Sequence, residues 1–200
     1  MDEPGRPAWV DPTIHWNTFV GSSAGDALND ITFLTNQQNH FFFAGTTDIN
    51  AVIPMDGTQL HTPSAGIDVV VSRRSANGSA LWTSLLGGNG EDIGRAFLIG
   101  AGGFVYVAGS TTSTNFQQGP GGTSLNGDRD AFIARISSFG ESMSWLQFIG
   151  GPGEEEIHAL ALGQDGKVYA AGWTTSQQMP ASDAGPSLGL RDLFVSRIDP

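Results

Sequence analysis

The chain is written in short apolar runs of five to nine residues, each closed by glycine, hydroxyl or acidic side chains. Between residues 94 and 150 they are GRAFLIG (94–100), FVYVAG (104–109), DAFIARI (130–136) and SMSWLQFIG (142–150). Runs of this length, rich in aromatic and β-branched residues and separated by turn formers, predict β-strands. In the first run small residues precede large ones, Ala96 before Phe97 and, in a later copy, Ala159 before Leu160. That interleaving predicts a strand packed tightly on one face. Asn77-Gly78 lies between two apolar runs and predicts a type I′ hairpin turn, which needs positive φ at both central positions. Phe139-Gly140 occupies the matching place in the next unit.

The pattern repeats. FVYVAGSTTS (104–113) returns as KVYAAGWTTS (167–176) and as HFFFAGTTD (40–48), the three phrases sharing Gly45, Gly109 and Gly172. Trp16, Trp82 and Trp145 are spaced by 66 and 63 residues, and ten residues after each comes an acid: Asp26, Asp92 or Glu155. Large apolar residues follow at Ile31 and Phe33, Phe97 and Ile99, Leu160 and Leu162. Each unit then reaches an Asp (Asp68, Asp130, Asp192) before another apolar run. Four strands per unit of this length, repeated, point to an all-β protein built of four-stranded antiparallel β-propeller blades. The organisation expected is an N-terminal extension (1–14) and three repeats at approximately 15–81, 82–144 and 145–200.

Composition agrees and narrows the function. Of 200 residues 28 are Gly and only 14% are charged, about twice and half the usual shares, which suits a turn-rich β protein. With 39% hydrophobic residues, 12 of them Phe, a packed core is available. The net charge of −11, with Lys167 the only lysine, excludes a basic phosphate-tracking surface and so argues against nucleic acid and anionic membrane surfaces. No run is long enough to insert into a bilayer. The absence of cysteine removes disulfides, thiol chemistry and Cys-ligated zinc. The acidic, prolyl start MDEPGRPAWVDP has neither the basic nor the apolar region of a signal peptide, so any export signal is expected to have been removed or replaced.

The stretch WTSLLGGNGEDIGRAFLIGAGGFVYVAGSTTS (82–113), followed by GDRDAFIARI (127–136), resembles the bacterial SBBP-type β-propeller repeat family. The resemblance runs from Trp16 to Ile198 and is weakest in the first unit, where VGSSAGD stands for LGGNGED and FFFAG for VYVAG. It implies blades around an axis and an exported or cell-surface bacterial protein, in a family with no common activity. Propellers carry about four to eight blades, so three repeats do not close a ring alone. By analogy with other propellers, GRAFLIG would be the innermost strand and the Trp strand the outermost. The chain would then open with an outermost strand, 15–21, which its last blade lacks. Three arrangements are consistent with this: a piece of a longer propeller, a homo-oligomer that completes the ring by exchanging that strand, or an open arc.

Candidate chemistry is sparse. GSSAG (21–25) matches the nucleophile elbow around Ser23, but its slot reads GGNGE and GGPGE in the other units, which makes it a turn between blades. His15, His40, His61 and His158 fall at unrelated repeat positions and form no zinc or triad spacing. Asp26, Asp92 and Glu155, with Glu91, Glu154 and Glu156 beside them, recur at the inter-blade turns, as Asp68, Asp130 and Asp192 do before the third strands. A carboxylate accepting turn N–H bonds is the simpler reading of these acids, and a Ca²⁺ site the alternative, so no cofactor is expected beyond Ca²⁺. Binding is best sought in the dissimilar connections 48–67, 114–129 and 177–191, where Gln117, Gln118, Gln177 and Gln178, with Trp173 just upstream, suit glycan or peptide contacts. The expectation is a non-catalytic binding or scaffold module recognising protein or glycan. A carbohydrate-active enzyme of glycosidase or lyase type is the runner-up, and a purely structural repeat the third possibility.

Overall fold

The computed structural model describes residues 25–33, 40–48, 66–116, 125–179 and 189–200. Strands β1 (Asp26–Phe33), β2 (Phe41–Asp48), β3 (Ile67–Arg74) and β4 (Ala80–Leu86) form the first antiparallel sheet, in that order. Strands β5 (Asp92–Ile99), β6 (Val105–Thr111), β7 (Asp130–Ile136) and β8 (Met143–Ile149) form the second. The third holds β9 (Glu155–Leu162), β10 (Val168–Thr174) and β11 (Asp192–Ile198), with no fourth strand among the described residues. Trp82 and Trp145 lie on β4 and β8, so the tryptophan opening each sequence repeat belongs to the sheet made by the residues before it. Trp16 and the run 15–21 lie outside the described residues, and no helix among those described is long and apolar enough to cross a membrane.

Side chains alternate across each strand, so every sheet has two faces. Sheet one presents Phe42, Ala44, Val69 and Val71 to Phe97, Val105, Val107 and Phe132 of sheet two, all buried in one cluster. The other side of sheet two presents Tyr106, Ala108, Ala131 and Ile133 to Ile157, Val168, Ala170 and Phe194 of sheet three. Sheet two thus has an entry face, packed on sheet one, and an exit face, covered by sheet three, and the corresponding faces of the other two sheets take the same names. A fully buried Phe42 or Ile133 side chain contributes roughly 1.5–3 kcal/mol by leaving water. Polar ties run along the outer side of the first junction. The Trp82 indole N–H donates to Ser138 O at 3.1 Å, and Ser84 Oγ donates to Gly140 O at 2.9 Å.

The glycine of the AG phrase has a steric cause. Each first strand carries a β-bulge at the same place, where Asn29, Arg95 and His158 are the extra residues. Gly45, Gly109 and Gly172 sit opposite these bulges, and a Cβ on any of them would collide with the carbonyl of Ala27, Ile93 or Glu156. The β3–β4 turn differs from the type I′ hairpin expected. Gly78 N–H donates to Ser75 O at 2.9 Å, so Ala76 and Asn77 are the central residues and Gly78 follows at φ 85°. One more residue in the loop moves the left-handed position off the pair's centre, and only the glycine is needed there. Gly140 repeats the arrangement at φ 71°.

Gly109→Ala is therefore expected to destabilise the protein by about 3 kcal/mol or more, since backbone must move to admit one methyl. Gly25→Ala, whose Cβ would meet nothing within 4 Å, should change stability by less than about 0.5 kcal/mol. Urea unfolding of both variants checks the pair; equal midpoints would refute the bulge explanation.

Candidate functional site

The recurrent acids and the hydroxyls of the TTS phrase meet where one sheet hands over to the next. Asp92, at the start of β5 and fully buried, accepts hydrogen bonds from Gly88 N at 2.7 Å, from Ser113 Oγ at 2.6 Å and from Thr111 Oγ1. Glu155, at the start of β9, accepts the equivalent set: Gly151 N at 3.0 Å, and Thr174 Oγ1 and Ser176 Oγ at 2.6 Å each. In the first sheet Asp26 accepts from Thr47 Oγ1 at 2.6 Å. The hydroxyls also face back on the turn: Gly90 N donates to Ser113 Oγ, Glu91 N to Thr112 Oγ1, and Gly153 N and Glu154 N to Ser176 Oγ and Thr175 Oγ1. A charged acceptor with three donors makes stronger bonds than a neutral one, and here each bond ties an inter-sheet turn to the strand beside it.

The second set of acids converges on the first. Beside Gly87, Asp68 Oδ1 of sheet one and Asp92 Oδ2 of sheet two crowd the same point, and beside Gly150 so do Asp130 Oδ1 and Glu155 Oε2. All four residues are at most 1% exposed. Asp130 Oδ2 accepts from Asn126 N at 2.7 Å and Gly127 N at 3.2 Å, but among the described residues its Oδ1 and both oxygens of Asp68 meet no donor. Burial first, and the Asp92 carboxylate second, push the Asp68 carboxyl up to about 7. Burial likewise raises Asp130, opposed by its two N–H bonds and reinforced by Glu155. Each junction therefore buries one well-donated carboxylate against one acid that retains its proton more readily than a free carboxyl. Asp192 accepts from Gly189 N at 3.3 Å, as Asp130 does from Gly127, but lies on the last described sheet.

This donor set suits a proton better than Ca²⁺, which takes six to eight oxygens. Three hydrogens, from Gly88, Thr111 and Ser113, already lie on the carboxylate of Asp92. Nor can these pairs reach a glycan, because a glycosidase pair must flank its substrate and these carboxyls are sealed between sheets.

The unrepeated chemistry sits on the bulges. Arg95 Nε pairs with Glu156 Oε1 at 3.1 Å, and Ser110 Oγ donates to Glu156 Oε2 at 3.0 Å. Arg129 continues the line, donating to Ser110 Oγ at 3.3 Å and pairing with Glu91 Oε2 at 2.7 Å. His158 Nε2 lies 2.7 Å from Glu156 Oε1 and 3.1 Å from Trp173 Nε1; its single proton or lone pair serves one of these partners at a time. The third bulge residue, Asn29, donates to Gly94 O at 2.6 Å. Burial first, and the Arg73 guanidinium 2.8 Å from its Nδ1 second, lower the pKa of His40 below its ordinary value.

Of the expected binding residues, Trp173 lies on β10 with the Arg191 guanidinium 3.9 Å over its ring. Gln177 and Gln178 are exposed just beyond that strand. Gln117, Gln118, Ser23, His15 and His61 lie outside the described residues. Arg95 and Arg129 escaped the sequence reading, and Glu156 entered it only as one of the acids beside the inter-blade turns; the failure of all three to repeat at repeated positions was the available signal. No protein-family model matches the chain, and no curated protein matches it.

Asp68 makes stability depend on pH with a definite sign. Its folded value lies above its ordinary one near 3.8, so its favourable contribution is complete below about 3.8 and is lost as pH rises to about 7. Across that window unfolding free energy should fall by up to about 1.4 kcal/mol per pH unit on account of this group. Asp68→Asn removes the charge while keeping the shape, and should flatten the profile and stabilise the protein at pH 8 by on the order of 2–4 kcal/mol. Urea unfolding of both proteins from pH 4.5 to 8 decides it; parallel profiles would refute the assignment.

Proposed function

We propose that this chain is a non-catalytic scaffold and binding module, a run of β-propeller blades from an exported or cell-surface bacterial protein. The stacked sheets with entry and exit faces, and the resemblance to SBBP-type repeats, support the propeller reading. One observation carries the non-catalytic part: the recurring carboxylates are used twice over, in the same buried lock, at two successive junctions. A catalytic pair is needed once and must face a substrate. The surface left for recognition is the set of dissimilar connections after β2, β6 and β10, together with Trp173 and the glutamines at 177 and 178. Rigid sheets carrying variable loops are the usual platform for glycan or peptide recognition.

The test is a combined glycan and peptide array probed with the full chain, followed by product analysis of whatever binds. Binding without turnover is expected, weakened at least tenfold by Gln177→Ala with Gln178→Ala and with no change in thermal stability. Cleavage of a bound glycan would replace this reading with the carbohydrate-active enzyme. An empty array would leave a purely structural repeat.

A further inference from the structure

Among the described residues no sheet covers the exit face of sheet three. Leu193 is 89% and Val195 74% exposed, whereas their counterparts in the other sheets, Ala131 and Ile133, Val69 and Val71, are completely buried. Tyr169 and Ala171 on β10 stand where Tyr106 and Ala108 of β6 are covered by sheet three. At the other end of the stack the entry side of β1 shows a matching apolar stripe. Leu28, Ile31 and Phe33 are all more than half exposed, although Phe97, which stands in the place of Ile31, is buried against sheet one. Among the described residues no strand of sheet one makes an extended contact with a strand of sheet three.

We propose that these two surfaces are the two halves of one interface, so that the exit face of sheet three receives the β1 stripe of a second copy of this chain. The contact continues the junction already formed twice within the chain, and the repeat supplies its pairing. At the junction of sheets two and three, Ser110 meets Glu156. Trp173 stands in the position of Ser110, and Ala27 in that of Glu156, so the larger side chain comes with the smaller partner. Two exposed leucines, an isoleucine, a valine and a phenylalanine leave water together in this contact. The two surfaces differ, so the contact is head to tail, and copies add until the rotation closes a ring. The proposal concerns the ends of the stack alone and is independent of any ligand carried by the loops.

Light scattering on a sizing column tests it, with the full chain and two variants altered at exposed positions. The unaltered chain is expected at a discrete multiple of 21.0 kDa. Leu193→Asp with Val195→Asp removes the exit surface, and Leu28→Asp with Ile31→Asp removes the entry surface. Each should run as a monomer with an unchanged β-sheet circular dichroism spectrum. Mixed in equal amounts, the two variants retain one intact junction and should form a dimer that grows no further. An unaltered chain that is monomeric at 100 μM overturns the proposal. So does a Leu28/Ile31 variant that still assembles, which would mean sheet three pairs with itself, and so does a mixture that stays monomeric.

Discussion

A buried carboxylate with three donors holds this architecture in order. Apolar stacking alone is non-directional and would let one sheet slide or rotate on another. Asp92 and Glu155 remove that freedom because each takes its donors from the turn that enters its strand and from the strand beside it. A slip of one residue in the first strand would strand a charge in the core, at a cost of several kcal/mol. The bulge at Arg95 and His158, the glycine opposite it and the course of the inter-sheet turn all follow from keeping that acid where its donors are.

The acids that face these carboxylates across the junction add a second constraint with the opposite character. Asp68 and Asp130 sit where a charge is disfavoured, and among the described residues nothing basic is set against them. Burial raises the pKa of both, so each junction sets an acid that keeps its proton more readily than a free carboxyl beside a carboxylate well supplied with donors. The strongly charged contacts, Arg95 with Glu156 and Arg129 with Glu91, lie instead where solvent reaches at least one partner.

Much of the strand content could be read from the chain because alternation and turn residues are local signals. DAFIARI became β7 at the boundaries expected of it, and the Trp runs became the fourth strands of the sheets before them. What could not be read is whatever depends on two distant segments at once. Gly109 was visible as the end of a phrase, yet its cause is a bulge on another strand. The two series of acids were visible as repeats, yet nothing along the chain says that Asp68 belongs with Asp92 rather than with its own turn. Asn77-Gly78 announced a turn, but the type was decided by loop length and the φ of one glycine. That Arg95 and His158 stand on bulges could not be read, because a bulge, which turns a side chain out of the alternation, leaves no trace in hydropathy.

The sequence period and the sheet are out of step by one strand, with Trp82 and Trp145 placed in the sheets that precede their own repeats. In genetic terms, a duplication that copies one sequence unit does not copy one finished sheet. It inserts a piece whose first strand completes the sheet already there and whose last three strands await completion by whatever follows. Lengthening such a gene therefore yields segments clasped by their neighbours at every step, and a recombination point placed at a tryptophan never leaves a self-sufficient sheet behind.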